Sequence, residues 1–260
     1  MSDSKISPLA YVGPGVVLGA DVTIGPGAVI LGPCTIGDNV WIGPGAQIGA
    51  PPEMTDQPQN AAWTGDLAHA GVRIGAGAVI REGAVIHQGS YRETTVGAGS
   101  WILNRAYLAH DVLLGAGTTV SAGVSIGGHC VVGDRVNIGM NASVHQRRFI
   151  GAGSMIGMGT PVARDVPPHS KAFGVPARVR GVNTVGMSRQ GISSAEIDSL
   201  VAAYTSGDLL LAELDLAQFS TGLAADLAQW VGRDDRHPQV SSPGTSFRRT
   251  HGWLLVSGQP

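Results

Sequence analysis

Histidine is the residue type whose distribution in this sequence first suggests chemistry. Four of the eight histidines, His87, His110, His129 and His145, lie in the middle of the chain, and Asp111 follows His110 directly. An imidazole exchanges protons near neutral pH and also binds divalent metals. The group therefore predicts either acid–base catalysis or a metal site, depending on whether the chain brings its members together.

An internal repeat predicts the elements that carry these histidines. An aliphatic residue recurs every six positions, in a phase that is interrupted only after Ile48 and after Ile86. Most of the hexads have Gly directly after the aliphatic residue. The aliphatic positions are Ile6, Val12, Leu18, Ile24, Ile30, Ile36, Ile42, Ile48, Ile74, Ile80, Ile86, Val96, Ile102, Leu108, Leu114, Val120, Ile126, Val132, Ile138, Val144, Ile150, Ile156 and Val162.

A period of six matches neither an α-helix nor a simple alternating strand. It fits a short strand followed by a corner, three of which close a triangular coil of about 18 residues. The aliphatic residue then points into the prism, and Gly suits a corner that is tight or that needs positive φ. The alternative, chance periodicity in a glycine-rich chain, does not account for so long a run in one phase.

The predicted coil converts sequence spacing into spatial proximity. Residues about 18 positions apart lie on the same face, one coil apart, at roughly the 4.8 Å spacing of neighbouring strands. His110, His129 and His145 fall in the hexads that begin at 108, 126 and 144, so we expect all three on one face. If the four extra residues at 92–95 bulge outward without rotating the coil, His87 joins the same column.

The repeat also divides the chain. We expect a β-helix domain over residues 1–183, with a Pro-, Asn- and Asp-rich loop insertion at 50–73, and a helical domain with a tail over 184–260. Ser193-Ser194-Ala195-Glu196 is a capping box that predicts a helix start. Further helices are expected over 208–218 and around the apolar side formed by Leu223, Leu227, Trp230 and Val231.

Composition excludes several classes of protein. The formal net charge is −2 at pH 7, which argues against a nucleic-acid partner. No apolar stretch is long enough for a membrane span, and no basic-then-apolar leader opens the sequence. Cys34 and Cys130 have neither disulfide nor zinc spacing. A cytoplasmic location is therefore expected.

From residue 74 to about 205 the sequence resembles the UDP-N-acetylglucosamine O-acyltransferases of lipid A biosynthesis. The loop insertion at 50–73, which we call the 50–73 excursion, contains Asp66-Leu67 and Ala70-Gly71, which look like that family's substrate loop. This resemblance implies a left-handed parallel β-helix that works as a homotrimer, with sites in the clefts between neighbouring prisms. The matching stretches are Ile80-Arg81-Glu82, Ile86-His87, Leu108-Ala109-His110-Asp111, Gly128-His129, Val144-His145-Gln146, Asp165-Val166-Pro167-Pro168 and Gly181-Val182-Asn183.

The resemblance also implies roles for individual residues. His110 would be the general base that deprotonates an acceptor hydroxyl as it attacks a thioester, and Asp111 would orient a ring of the site. The backbone amide after Gly128-His129 would stabilise the oxyanion, and His129 completes the catalytic set. Met158 occupies the position that sets the depth of the acyl groove in that family. The expected substrate-binding residues are Asp66, His87, His145, Gln146, Met158, Asn183 and Arg189.

The resemblance implies no cofactor, because the acyl donor, acyl carrier protein or acyl-CoA, is a co-substrate. We expect no metal. The γ-type carbonic anhydrases share this fold and bind zinc, but their paired His-x4-His is absent here.

Several departures from the family put the donor and the acceptor in question. Ala68 replaces a lysine expected to contact phosphates, Tyr107 replaces a histidine, and Gln190 replaces an arginine. The segment 187–231 contains one basic residue, Arg189, against six acidic ones, which would disfavour docking of acidic acyl carrier protein. The tail adds Arg248 and Arg249, which resemble the family's C-terminal segment and would compensate for part of that charge.

One further motif suggests a different donor. Gly174-Val175-Pro176-Ala177-Arg178 resembles a segment of acetyl-CoA-dependent hexapeptide acetyltransferases, although it would also suit an ordinary exit turn. Three functions therefore stay open: transfer to a UDP-amino sugar from a carrier protein, acyl-CoA-dependent transfer to a nucleotide-linked sugar or specialised metabolite, and a non-catalytic scaffold. The histidines favour an acyltransferase acting on a sugar nucleotide.

Overall fold

The computed structural model of the chain is described here for residues 4–59, 69–211 and 213–233. Short parallel strands coil into a left-handed β-helix of about nine turns, as the repeat and the resemblance predicted. Three flat faces, which we call A, B and C in the order in which the chain crosses them, form a triangular prism.

Face A contains ten strands, which are β1 (Lys5–Ile6), β4 (Thr23–Ile24), β7 (Trp41–Ile42), β10 (Val79–Ile80), β13 (Trp101–Ile102), β16 (Thr119–Val120), β19 (Asn137–Ile138), β22 (Met155–Ile156), β24 (Ser170–Phe173) and β25 (Arg178–Val182). Face B contains eight, which are β2 (Tyr11–Val12), β5 (Val29–Ile30), β8 (Gln47–Ala50), β11 (Val85–His87), β14 (Tyr107–Leu108), β17 (Ser125–Ile126), β20 (Ser143–Val144) and β23 (Pro161–Val162). Face C contains seven, which are β3 (Val16–Leu18), β6 (Cys34–Ile36), β9 (Val72–Ile74), β12 (Thr94–Val96), β15 (Leu113–Leu114), β18 (Val131–Val132) and β21 (Phe149–Ile150).

The core of the prism is a stack of the repeated aliphatic residues. Leu108, Ile126 and Val144 pair in register on successive coils, and each is nearly inaccessible to solvent. Burying one such side chain contributes roughly 1.5–3 kcal/mol, and every coil adds three. The core therefore grows along one axis, and a corner residue always lies over the corner residue of the coil below.

The corners use glycine for two separate reasons. A Cβ on Gly97, which directly follows Val96, would lie 2.4 Å from the backbone nitrogen of Ala116 in the next coil, so no side chain fits there. Gly117, the third residue after Leu114, instead has φ +64°. The left-handed position is thus the third residue after the aliphatic one and not the first. Non-glycine residues hold it in several corners, among them Asp111, His129 and Arg147.

The end of the coil is more elaborate than the sequence predicted. After Asp165-Val166-Pro167-Pro168 the chain adds β24 parallel to β22 and then turns back as β25, antiparallel to β24. The segment Gly174–Ala177 forms the turn of this hairpin. The motif that resembled an acetyltransferase segment therefore shapes an exit turn here.

The C-terminal part contains α1 (Thr184–Arg189), α2 (Ser194–Ser206), a 3-10 helix (Leu216–Gln218) and α3 (Thr221–Val231). The capping box is confirmed, since Ser193 and Glu196 bond reciprocally at the start of α2. Within the described residues, no helix is long and apolar enough to cross a membrane.

One helix prediction was wrong, and another was wrong in one residue. The described residues of 208–218 contain only the 3-10 helix Leu216–Gln218, because Gly207 ends α2 in a left-handed conformation and Leu209 and Leu211 enter the core as irregular chain. The Leu209 carbonyl also accepts a hydrogen bond from the Trp230 indole, 2.9 Å away, which fixes that conformation. On α3, Leu223, Leu227 and Trp230 are buried as expected, whereas Val231 is exposed.

A polar cluster joins this helical part to the prism. Asp226 of α3 accepts hydrogen bonds from Arg135, at 2.6 Å, and from the buried corner residue His169, at 2.9 Å. Tyr204 of α2 donates to the Pro168 carbonyl at 2.5 Å. The helices are therefore fixed relative to the last coils.

Candidate active site

The four predicted histidines lie along one edge of the prism, where face B turns into face C. Strands β11, β14, β17 and β20 are consecutive neighbours on face B, and each histidine lies at or just beyond the end of one of them. His87 belongs to the column because the enlarged corner after β11 leaves the coil phase unchanged. We call His87, His110, His129 and His145 the histidine edge.

His110 and Asp111 form a hydrogen-bonded dyad on this edge. Nδ1 of His110 lies 2.7 Å from Oδ2 of Asp111, and both side chains are almost completely buried. An ionised carboxylate can only accept, so Nδ1 carries the proton and Nε2 presents its lone pair. This tautomer is the one that a general base requires.

Burial would raise the pKa of Asp111, but hydrogen bonds outweigh it and lower the pKa to about 2. Oδ1 accepts from the backbone amides of Ser90, Tyr91 and Arg92 at 2.9, 3.1 and 3.2 Å, and Oδ2 accepts from the Ser90 hydroxyl at 2.6 Å. All these donors come from the enlarged corner 88–93. Asp111 is therefore an anion at any working pH.

Gly128, in the next coil, lies directly against the His110 ring. A Cβ at this position would lie 2.6 Å from Cε1 and 2.7 Å from Nε2. The following residue, His129, donates its backbone amide to the His110 carbonyl at 3.1 Å. The Gly128-His129 corner thus forms one wall of the space around Nε2, and the His129 amide itself is occupied within the chain.

His129 completes the wall. Its ring meets the His110 ring edge-on, with 4.7 Å between centroids, and its Nδ1 lies 3.5 Å from Oδ2 of Asp111. Burial lowers the pKa of His129, and Arg147 and Arg92 lower it further, against the opposing effect of Asp111. These effects favour the neutral form of His129. On its outer side, the exposed Tyr91 ring stacks on it at 5.6 Å.

His87 lies lower on the edge and contacts the start of the 50–73 excursion. Its Nδ1 is 2.7 Å from the Pro51 carbonyl, and its Nε2 is 3.5 Å from the Glu53 carboxylate. The same carboxylate accepts a hydrogen bond from the Tyr107 hydroxyl. Burial and this carboxylate raise the pKa of Tyr107. Tyr107, where the family was expected to have a histidine, thus anchors the excursion.

The upper end of the edge is open to solvent. His145 and Gln146 are both exposed, and His145 Nδ1 lies 3.1 Å from the Gln146 carbonyl. Arg147 follows in the left-handed corner position, also exposed. The edge therefore changes from a buried dyad to exposed polar groups over two coils, which is the arrangement of a site that receives a ligand from outside.

Other predicted site residues lie away from this edge within the chain. Met158 is exposed at the corner between faces A and B. Asn183 caps α1 and donates its side-chain amide to the Gly153 carbonyl, at the corner between faces C and A. Arg189 is exposed at the end of α1. Asp66 lies outside the described residues. A single chain therefore does not bring Met158, Asn183 or Arg189 to the dyad.

The dyad and His129 also carry atoms of the kind that bind metal ions. His110, Asp111 and His129 each offer an atom within 4.8 Å of the others. Two ligands of one tetrahedral zinc, at bond lengths near 2.0–2.1 Å, would lie roughly 3.3 Å apart. The 2.7 Å separation of Nδ1 and Oδ2 is a hydrogen-bond distance instead. As arranged, the cluster fits a shared proton better than a metal.

Two segments of the chain match known families. Residues 165–219 match the family described as Udp N-acetylglucosamine O-acyltransferase, domain 2, and residues 1–32 match the bacterial transferase hexapeptide repeats. The acyl-[acyl-carrier-protein]–UDP-N-acetylglucosamine O-acyltransferase of Paracidovorax citrulli is 52% identical over 101 residues, 39% of this chain and 38% of that protein. The enzyme of the same name from Pseudomonas savastanoi pv. phaseolicola is 33% identical over 138 residues, 53% of each chain.

Solved structures extend the similarity to nearly the whole chain. LpxA from Acinetobacter baumannii superposes with a TM-score of 0.70 and 26% identity, covering 90% of this chain and 99% of that one. The UDP-N-acetylglucosamine acyltransferase from Campylobacter jejuni gives 0.70 and 27%, covering 92% and 98%. This chain is a hexapeptide-repeat protein similar to the UDP-N-acetylglucosamine O-acyltransferases. In sequence, the matched stretch spans about half the length of the curated relatives.

Several residues that contact the site were not predicted from the sequence. Ser90, Tyr91 and Arg92 surround Asp111, Gly128 packs on His110, and Glu53 holds Tyr107. One signal pointed to the first three, because the repeat breaks by four residues directly before the coil that carries His110. A break in an otherwise regular repeat marks a place where the extra residues have a task.

Proposed function

We propose that the protein is an acyltransferase that moves an acyl group from a thioester carrier to a sugar nucleotide, most like UDP-N-acetylglucosamine. The observation that carries the proposal is the buried His110–Asp111 dyad, whose Nε2 lies against Gly128 on an edge that opens to solvent. Similarity to enzymes with this name over nearly the whole fold supports it. The proposal includes a homotrimer, because the predicted substrate-binding residues that lie away from the histidine edge would have to come from a neighbouring prism. It also includes a cytoplasmic location.

In the proposed reaction, Nε2 of His110 takes the proton of the acceptor hydroxyl as the oxygen attacks the thioester carbonyl. The negative charge that develops on the carbonyl oxygen needs a hydrogen-bond donor. We place it at a backbone amide of the Gly128-His129 corner other than that of His129, which already donates to the His110 carbonyl. Collapse of the tetrahedral intermediate breaks the carbon–sulfur bond, and the imidazolium returns its proton to the thiolate. The products are an ester and a free thiol. Asp111 stabilises the imidazolium without taking its proton, because its pKa is about 2.

The charge of the helical part favours acyl-CoA over acyl carrier protein as the acyl donor. Glu196 bonds Ser193 and Ser220, and Asp226 bonds Arg135, so two acidic residues are engaged internally. Asp198, Glu213 and Asp215 remain exposed. Such a surface repels an acidic carrier protein, whereas a small acyl-CoA need not dock there. Acyl-CoA-dependent transfer is therefore the alternative.

The test is a donor-by-acceptor screen read by mass spectrometry, with acetyl-CoA, longer acyl-CoAs and hydroxyacyl carrier proteins against UDP- and dTDP-amino sugars. The matched variant is His110→Ala, which removes the base and should lower kcat at least 100-fold. Transfer from carrier protein to UDP-N-acetylglucosamine supports the main proposal, and transfer only from CoA supports the alternative. Near wild-type turnover by His110→Ala would refute the base assignment.

A further inference from the structure

The enlarged corner Gln88–Glu93 is the feature of the coil that the fold does not require. Elsewhere on the histidine edge a short corner such as Ala109–Val112 suffices to connect face B to face C. After β11 the repeat contains four extra residues, yet β11 stays in register with β14, and β12 stays in register with β9 and β15. Against β8, β11 shifts only at its last residue, His87, which pairs with Ala50. The extra chain therefore does not correct the path of the coil, and its role lies in what it contacts.

The contacts of the three central residues of this corner converge on one side chain. Its end residues contact other coils, since Gln88 donates to the Gly32 and Gly49 carbonyls and Glu93 pairs with Arg73. The backbone amides of Ser90, Tyr91 and Arg92 and the Ser90 hydroxyl all donate to the carboxylate of Asp111, at 2.6–3.2 Å. Successive amides that point inward form a concave anion-binding arrangement of the backbone. The carboxylate that fills it belongs to the residue next to His110. The extra corner is thus built around one member of the dyad.

Arg92 fixes the same arrangement from outside. Its guanidinium donates twice to the Asp111 carbonyl, at 2.9 and 2.6 Å, and reaches the His129 carbonyl at 3.4 Å. Asp111 and His129 both occupy left-handed corner positions, with φ of 60° and 62°. Backbone in this region is strained for non-glycine residues and persists only where the surroundings hold it. Arg92 therefore ties together two corners that position side chains of the site.

Ser90 has a more specific effect, because it shares an acceptor with the base. Its hydroxyl lies 2.6 Å from Oδ2 of Asp111, and His110 Nδ1 lies 2.7 Å from the same oxygen. Each donor reduces the negative charge that the other experiences. If the hydroxyl is removed, His110 is the one remaining hydrogen-bond donor to Oδ2 among the described residues, and the imidazolium is stabilised more strongly. Ser90 thereby limits how basic His110 becomes.

We propose that the corner Gln88–Glu93 is a positioning element for the His110–Asp111 dyad, and that Ser90 is a positioning residue that tunes the basicity of His110. The catalytic consequence of this inference rests on the proposed function. The effect of Ser90 on the basicity of His110 does not. The His110 ring contacts the His129 ring, and Arg92 and Arg147 act electrostatically on His129; the test leaves all three residues unchanged.

The experiment compares Ser90→Ala with Ser90→Thr, which keeps a hydroxyl, in the full chain. Ser100→Ala is the control, because Ser100 is a buried serine of the coil whose hydroxyl donates to the Gly115 carbonyl, away from the edge. The first readout is the titration of His110, followed by NMR in protein labelled at histidine Cε1, with His110→Asn to assign the resonance. The second is the pH profile of kcat/KM once a substrate pair is known.

In Ser90→Ala we expect the titration midpoint of His110 to rise by about 0.5–1 pH unit, a fraction of what one hydrogen bond to a charged group is worth. Ser90→Thr should restore it, and Ser100→Ala should not change it. The acidic limb of kcat/KM should move by the same amount, with KM unchanged. A midpoint that stays within 0.2 unit, falls, or rises equally in Ser100→Ala would overturn the proposal. The NMR titration needs no substrate. It therefore tests the role of Ser90 even if the proposed acyltransferase activity is not found.

Discussion

Replacing Gly128 with alanine is the most direct test of the site geometry. The added methyl group would lie 2.6 Å from Cε1, 2.7 Å from Nε2 and 3.2 Å from Nδ1 of His110, where ordinary contacts are 3.4–4 Å. The φ of Gly128 is not left-handed, so alanine is compatible with the backbone. Residues at the same place in other corners are alanine, including Ala98, Ala116 and Ala122. Any effect must therefore come from contact with the ring.

The size of the effect follows from those distances. To reach ordinary contact, ring and corner must separate by about 0.7–0.8 Å, which displaces Nε2 or breaks the 2.7 Å bond to Asp111. A misplacement near 1 Å costs on the order of 100-fold in rate, or about 2.7 kcal/mol of transition-state stabilisation. Overpacking should also lower the free energy of unfolding by about 1–3 kcal/mol.

The assay is kcat and KM of Gly128→Ala on the substrate pair found in the screen, with thermal unfolding measured in parallel. Ala122→Gly, which changes the equivalent position of the preceding corner, is the control and should retain wild-type kcat. We expect the loss in kcat, because substrate can still enter the edge while the base is misplaced. If Gly128→Ala keeps kcat within threefold of wild type, the ring does not act from the position described.

Three further predictions concern charge and burial. Asp111→Asn should lower kcat by roughly 100- to 10,000-fold with little change in fold, since an amide no longer fixes the Nδ1–H tautomer; steady-state kinetics and circular dichroism would show it. Asp226→Asn should lower the free energy of unfolding by about 1–3 kcal/mol near pH 7, measured by denaturant titration. Burial raises the pKa of Asp226, but His169 and Arg135 lower it overall. The stability that the Asp226 carboxylate contributes is therefore present above the unfolded pKa of about 3.9 and is lost as the pH falls through the lower folded pKa. The difference in free energy of unfolding between wild type and Asp226→Asn should shrink below about pH 4. Burial raises the pKa of Cys34 to about 12 and of Cys130 to about 11, so neither thiol should react with iodoacetamide at pH 8 until the protein unfolds, as mass spectrometry would report.

The fold was predictable because one period controls it. Ile102, Val120 and their equivalents are spaced by the geometry of a coil, and a period of six has few other structural solutions. The end of the coil was less predictable. Leu209 and Leu211 carry the apolar signal of a helix but are buried as irregular chain, because the Trp230 indole holds the Leu209 carbonyl. Tertiary contacts of that kind leave no local pattern in the sequence.

The histidine edge was predictable for the same reason as the fold, since residues 18 apart pair in register, as Tyr107 does with Ser125. The bond between Nδ1 of His110 and Asp111 was less so, because adjacent residues usually point apart and here the left-handed φ of Asp111 turns its carboxylate back. Ser90 and Glu53 lie in the two interruptions, where no periodicity places a side chain. Met158 and Asn183 lie at other corners, and whether they act with His110 depends on the neighbouring prisms of the proposed trimer.

The regular rise of the coil has a consequence for any change in length. The dyad lies on the coil that begins at face B with β14, and the chain leaves the prism about three coils later, roughly 14 Å along its axis at 4.8 Å per strand. Duplication or loss of one whole coil above the dyad would alter the distance between base and helical part in fixed steps, while each histidine keeps its orientation. Duplication of one or two hexads would instead move the upper coils round by one or two faces and scatter the edge over different faces. Reach and chemistry can therefore diverge independently in this architecture, with genetic insertions of about 18 codons as the unit of change.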